Sequence, residues 1–319
     1  MKRVISILTC LCLLMTTGCS RQETIRFGAA GVGGMYYPFA NAFTELASKD
    51  ETGINWKVKS TAGSAANLRL LSDNYIELGI AQADLIEDAY YGKGTFHSGK
   101  YRGYKAVASL YPEACQIVVR KDSDITSLDD LEGKNVSVGE EESGTERNAT
   151  QILEMCGLPD NLVNTKNLDY TDAADQLAEK KIDAFFCTAG ICTTVIEELT
   201  KECDIRLLEI PESCRQKLKK AYSFYDDYVI PAGTYSGQTE DIQTISVQSV
   251  LLASSTLSEK TVQKLTASLF KHIKDIQYSI SINLQLTPQE AVKGITIPFH
   301  PGAETYYKLE GVELPEVES

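Results

Sequence analysis

With 319 residues, the chain is long enough for two lobes rather than one. Its 31 Lys and Arg stand against 44 Asp and Glu, a formal charge of −13 that disfavours nucleic acid and anionic lipid as partners. An anionic guest gains nothing from that balance, so a seat for one has to be made from local dipoles.

The chain begins with Lys2 and Arg3, an apolar run over residues 4–15, and Thr16-Thr17-Gly18-Cys19-Ser20. This pattern reads as an export signal, too short for a typical spanning helix. Gly18-Cys19 resembles the lipobox of bacterial lipoproteins, although Thr16 stands where an aliphatic residue is usual. That resemblance implies cleavage before Cys19 and a lipid anchor on it. Without Lys2 and Arg3 the mature chain has 29 basic residues against 44 acidic, or −15.

Residues 25–27 form a short strand pattern leading into Gly28-Ala29-Ala30-Gly31-Val32-Gly33-Gly34-Met35-Tyr36-Tyr37-Pro38. Phe39, Phe43, Leu46 and Ala47 then recur at helix spacing, with Pro38 in the first turn, where its missing N–H costs nothing. Glycines before a helix start let backbone N–H groups approach a small anion. A tight turn is the competing reading. The turn is not a dinucleotide G-x-G-x-x-G, since position 36 is Tyr, and no Lys-Ser or Lys-Thr pair closes it as a P-loop. Residues 55–60 alternate as a half-buried strand, and Ser64 is placed to cap a helix with Leu68 and Leu71 on one face. Residues 77–82 form a third strand, Asp84 to Glu87 has capping-box form, and residues 105–110 form a fourth strand ending at Tyr111-Pro112-Glu113.

The pattern then restarts. Residues 116–120 and 135–139 are strands, with a short capped helix over 127–131 between them that stops at Gly133. Glu140-Glu141-Glu142-Ser143-Gly144-Thr145 opens a helix running to Cys156, with Gly157 as its stop. Asp169 and Thr171 cap a helix over 172–180, residues 182–187 form a strand, and Thr188-Ala189-Gly190 opens a helix running to 202. Residues 262–276 are helix-patterned and, with the 297–301 segment, can return to the first lobe. Alternating strands and helices imply α/β open sheets of mainly parallel strands, with ligands beyond the strands' carboxyl ends. The expected architecture is a leader over 1–19, one lobe from 20–115 plus 247–319, and a second from 116–246.

Nine cysteines less Cys10, Cys12 and Cys19 leave Cys115, Cys156, Cys187, Cys192, Cys203 and Cys214. An even count permits disulfides, with Cys187–Cys192 or Cys203–Cys214 nearest in sequence; plain buried thiols are the other reading. There is no C-x-x-C, and His97, His272 and His300 are scattered, so neither a metal site nor a cofactor is expected.

The ordered series Gly33-Gly34-Met35-Tyr36-Tyr37-Pro38, Thr61-Ala62-Gly63-Ser64, Gly79-Ile80-Ala81-Gln82, Leu110-Tyr111-Pro112-Glu113, Ser143-Gly144-Thr145, Pro231-Ala232-Gly233-Thr234-Tyr235 and His300-Pro301-Gly302-Ala303 resembles the TAXI receptors of tripartite ATP-independent periplasmic (TRAP) transporters. The resemblance covers about residues 25–310. It implies a two-lobed periplasmic-binding-protein (type II) fold, no enzymatic activity, and delivery of a solute to TRAP membrane subunits. The implied ligands are small anionic solutes: glutamate, glutamine, 2-oxoglutarate or related dicarboxylates. By motif, the implied contacts are Gly34, Tyr36, Tyr37, Ser64, Asn67, Gln82, Tyr111, Ser143, Gly144, Thr145, Thr188 and Tyr235. The chain departs from the family at Glu142, where glycine is frequent, and at Cys192, where proline is common. A Cys187–Cys192 bridge would stiffen the second lobe's rim.

Each residue also has a plainer role. Ser64 can simply cap its helix, one of Tyr36 and Tyr37 can be core, Asp84 suits a cap, and Arg69 suits a structural ion pair rather than ligand contact. Glu140, Glu141 and Glu142 read as a solvated acidic turn favoured by the following helix dipole, or as a receiver for an ammonium group. Two other functions compete with the TRAP reading. One is a solute-binding protein of an ABC importer or a chemosensor. The other is a secreted hydrolase, against which stands the lack of G-x-S-x-G and H-E-x-x-H.

Overall fold

The computed structural model describes residues 23–317 apart from 52, 160, 281–283 and 285. The expected export signal and the expected lipidation at Cys19 lie outside the described residues. The first half of the chain supplies β1 (Glu23–Gly28), α1 (Tyr36–Asp50), β2 (Ile54–Lys59), α2 (Ser64–Ser72), β3 (Leu78–Gln82) and α3 (Ala83–Tyr91). The second supplies β5 (Asn135–Ser137), α4 (Gly144–Met155), β6 (Asn164–Lys166), α5 (Tyr170–Ala178), β7 (Ala184–Ala189), α6 (Thr194–Glu202), β8 (Ile205–Leu207), α7 (Glu212–Ala221) and β9 (Asp226–Ile230). Two long strands, β4 (Tyr104–Arg120) and β10 (Ile242–Ser254), run through both. After β10 come α8 (Glu259–Lys271), α9 (Ile273–Ile280) and α10 (Pro301–Leu309).

The ten strands among the described residues form one sheet whose main path is β2-β1-β3-β10-β4-β7-β5-β6. Read from either outer end, the order is second strand, first strand, third strand, long strand: β2-β1-β3-β10 and β6-β5-β7-β4. The restart seen in the sequence is therefore a repeated topology. Within each half the short strands pair in parallel, while the long strands join their neighbours antiparallel. This is a periplasmic-binding-protein-like α/β fold, with the two open halves made continuous by β4 and β10. The expected lobe boundaries at 115/116 and 246/247 both fall inside these strands.

The fourth strand differs most from expectation. Tyr111-Pro112-Glu113 was expected to end it, yet β4 continues through them for 17 residues. Pro112 lies opposite Gln248, next to a register shift between Gln248 and Val250. A bulge is a place where a strand tolerates a residue without an N–H. Passing straight through Glu113 makes this residue, 2% exposed, part of the crossover between the halves.

Packing follows the apolar patterns. Phe39, Phe43 and Ala47 on α1 are fully buried, with Phe43 edge-on to both Phe27 and Trp56. The chain's end does return to the first half: Ala106 N–H donates to the Pro298 carbonyl, His300 N–H donates to that of Ala106, and α10 packs on α8. The patterned 262–276 stretch is split, with α8 ending at Lys271 and α9 starting at Ile273. All six described cysteines are free thiols. The sequence-adjacent pairs are not bridged; the thiols brought together are Cys156, at the end of α4, and Cys214 on α7, and burial followed by this contact pushes Cys156 up.

Candidate functional site

Three strand–turn–helix junctions converge where the halves face each other. After β1 comes the glycine turn; after β2, the start of α2; and across from both, the start of α4. They enclose a cavity of about 50 Å³, room for a few waters. Eight of the expected contacts line it. Gly34, Tyr36, Ser64 and Gln82 come from the first half, and Ser143, Gly144, Thr145 and Thr188 from the second.

Four expected contacts are elsewhere. Tyr37 is partly buried against the core, and Tyr111 is buried against Phe39. The Tyr235 hydroxyl donates to Gln116 Oε1 at 2.5 Å and accepts from the Thr193 N–H at 3.2 Å, away from the cavity. Asn67 is fully buried: its amide donates to the carbonyls of Gly28 (3.2 Å) and Ile80 (2.9 Å) and accepts from Thr61 Oγ1 (2.7 Å). That ties β1, β3 and the α2 approach together, so Asn67 acts on the fold. Asn67→Ala is expected to lower stability by about 2–3 kcal/mol in urea unfolding, through the backbone acceptors it orphans. Solute affinity of the folded protein should stay within about threefold, since ~0.6 kcal/mol separates such values.

Local structure explains the lining. Ser64 does not cap its own helix; α2 begins on it, and its Oγ accepts the Gln82 N–H at 3.2 Å, holding the end of β3. Ser143 does cap α4, accepting the Glu146 N–H at 3.0 Å. Thr145 Oγ1 accepts from the Thr188 N–H (3.1 Å) and pairs with the Tyr170 hydroxyl, which donates to the Thr188 carbonyl at 3.0 Å. Asp84 is not a cap either. It lies in the first turn of α3, 1% exposed, with neither carboxyl oxygen hydrogen-bonded to a side chain or backbone group, and burial raises its pKa to about 6 despite the nearby Arg147.

Four ionisable residues outside the expected set also border the cavity: Glu113, Glu140, Asp169 and Tyr170. Glu113 accepts the Tyr36 hydroxyl at 2.8 Å. Burial raises its carboxyl to about 8, with Tyr36 and Gln82 pulling it back and Asp84 pushing it further up. Glu140 is raised by burial and then by Asp169. Glu113 and Glu140 sat within quoted motifs, but only strand continuity and the closing of the turn aim them inward. Asp169, exposed, was legible only as the α5 cap, a role it also fills by accepting the Asp172 N–H.

The halves touch outside the cavity too. The Ala65 N–H donates to the Glu142 carbonyl at 3.0 Å, and ion pairs join Arg69 to Glu142 and Asp88 to Arg147. Glu142 stands in its turn with a side chain 48% exposed, as a solvated acid does, and it also bridges the halves. It holds a left-handed backbone (φ +68) where glycine would be unstrained, and spends its side chain on an inter-half pair. Gly63, at φ +129, is needed where it is: a Cβ there would lie 3.1 Å from the Ser143 Cα. The opening glycines serve the same approach, with Gly34 against the Tyr170 ring and Gly33 against Val195.

Comparison with known proteins gives a family and a fold. The profile of the NMT1-like family matches residues 27–311. Among solved structures, a periplasmic transporter superposes with a TM-score of 0.56 at 14% identity, covering 90% of this chain and 92% of that one. The binding protein component of an ABC phosphonate transporter from Pseudomonas aeruginosa gives 0.53 at 13%, over 82% and 80%. The alkanesulfonate-binding protein SsuA from Xanthomonas axonopodis pv. citri, bound to MOPS, gives 0.51 at 15%, over 90% and 83%. At such identities the likeness is one of fold. The NMT1-like match overturns the resemblance to TAXI receptors of TRAP transporters. Three of the motifs that carried it, at residues 33–38, 61–64 and 143–145, are strand–turn–helix junctions, which belong to the α/β architecture rather than to one family.

Proposed function

The chain belongs to the NMT1-like family, and on that premise we propose that it is an extracytoplasmic solute-binding receptor. It captures a small polar solute between its halves and hands it to the membrane subunits of an ABC-type importer. The observation that carries this is the cavity itself. It is closed by both halves, with the starts of α2 and α4 facing each other across it. A ligand that touches both halves only when they meet shifts an open–closed equilibrium, which is how a receptor signals occupancy. The export signal read over residues 1–19 places the protein outside the cytoplasm, and a lipid on Cys19 would tether it there. The ABC partner is supported by the phosphonate relative, whose transporter is of that type.

The backbone N–H groups and hydroxyls at the starts of α2 and α4 suit one carboxylate or comparable acid group. The test is a thermal-shift panel of amino acids, dicarboxylates, sulfonates and phosphonates, followed by small-angle scattering with each hit. A receptor is expected to gain several degrees and to become more compact with its solute, leaving the solute unchanged. Turnover of the solute would favour the hydrolase reading, and no response to any of them would remove the receptor reading.

A further inference from the structure

The ionisable side chains lining the cavity are all acids or phenols: Glu113, Glu140, Asp169, Tyr36 and Tyr170. No Lys, Arg or His lines it among the described residues. The nearest arginines of the facing helices are committed elsewhere, Arg69 to Glu142 and Arg147 to Asp88. The phenolic hydrogens are committed too: Tyr36 gives its own to Glu113 and Tyr170 its own to the Thr188 carbonyl, which leaves Thr145 as the donor in the Thr145–Tyr170 contact.

An independent observation agrees in sign. Gln82 is 2% exposed and lines the cavity, and its Oε1 atom is buried without a hydrogen-bond partner. The unmet need at the buried end is thus for a donor. A buried acceptor left unpaired costs about 1–3 kcal/mol, so a guest that donates there is favoured. A second carboxylate placed there would set its own acceptor oxygens against Gln82 Oε1 and add a negative charge beside the acids of the cavity.

We propose that the solute carries a cationic amino group, seated at Gln82 and Glu113 with Glu140 and Asp169 at the outer edge, so that the site selects amines and zwitterions over dicarboxylates. This rests on the receptor reading and adds the charge of the guest. Gln82 Oε1 and Glu113 accept the ammonium N–H groups, and the helix starts hold whatever acid group the solute also has.

The experiment is isothermal titration calorimetry of the full protein with glycine, L-alanine and putrescine, against succinate and 2-oxoglutarate, with calcium chloride as a metal control. Binding by an amine-bearing probe and none by the dicarboxylates supports the proposal. Glu113→Gln should then weaken that probe by about 30-fold or more, the scale for removing one partner of a buried charged contact. Because Glu113 is central to β4, the double variant Glu140→Gln/Asp169→Asn provides a second reading on groups outside the core, with weakening of about threefold or more expected. Dicarboxylate binding equal to or above that of the amines, or binding by calcium alone, overturns the proposal and leaves a receptor. Amine binding unchanged in both variants also overturns it. No heat from any probe, with no compaction by scattering, removes the receptor and this inference together.

Discussion

Gly144→Val should abolish tight solute binding while leaving both halves folded. A Cβ at Gly144 would stand 2.1 Å from Gln82 Oε1 and 2.3 Å from its Cδ, distances real Cβ atoms do not tolerate. The Gln82 backbone is held by Ser64, so only its side-chain end can yield, and it would yield into the cavity that the solute needs. The clash lies between the halves, so opening relieves it at no cost to either hydrophobic core. Gly144 is the first residue of α4 and does not need a positive φ, so valine costs the helix nothing relative to glycine, the poorer helix former. The expected result is a loss of about 100-fold or more in affinity, since binding and closure are one equilibrium. The ligand-free melting temperature should move by only a few degrees, and the radius of gyration by scattering should correspond to the open form. Retained tight binding would show that the halves need not meet at Gly144.

Stability should fall as pH rises, and Glu113 should be the main cause. Its folded-state value of about 8 lies above the ordinary 4.5 of a glutamate. Between those values the folded protein holds a proton that the unfolded chain releases. The contribution is complete below about pH 4.5 and is lost as pH climbs through about 8. The neighbours that act on Glu113 or feel its charge are Tyr36, Tyr111, Tyr170, Asp84, Gln82, Cys115 and Cys187, none of them a cation. Asp84, raised to about 6, adds a smaller effect of the same sign. The size expected is a few kcal/mol between pH 5 and pH 9, from about 1.4 kcal/mol per pH unit of displacement. Glu113→Gln keeps an acceptor for Tyr36 and cannot ionise, so its urea midpoint should change much less over that range and exceed the wild-type value at pH 9. Parallel curves for the two proteins would assign the pH dependence to other groups. If the solute brings a cation to Glu113, its binding should release a proton near neutral pH, which calorimetry in buffers of different ionisation enthalpy reads directly.

Arg69 and Glu142 show how a local reading reaches its limit. Arg69 was legible as a pairing residue because a partly buried guanidinium one turn into a helix needs a carboxylate. Its partner was not legible, since the two lie 73 positions apart and meet only when the halves do. Glu142 read only as a solvated acid for the same reason: its exposure was legible and its pairing was not. The left-handed backbone that aims it is set by the turn entering α4, and periodicity carries no signal for it.

The sequence by itself determined the junctions. Glycine and small residues between an alternating run and an amphipathic one can only be strand–turn–helix, because backbone freedom, capping and periodicity act over a few residues. It also determined the repeat of that unit and hence the α/β class, and it picked out eight of the cavity's residues, which sit where such junctions end. The long-range decisions belonged to the tertiary structure. Pro112 reads as a strand's end until a bulge opposite Gln248 absorbs its missing N–H and carries β4 on through Glu113. Asn67 and Tyr235 stand at plausible strand and loop ends, and their partners at Gly28, Ile80 and Gln116 turn them into the core. The sign of the cavity's charge was settled in the same way. Glu113, Glu140 and Asp169 come from three separate segments, and only folding brings their carboxyl groups to one cavity.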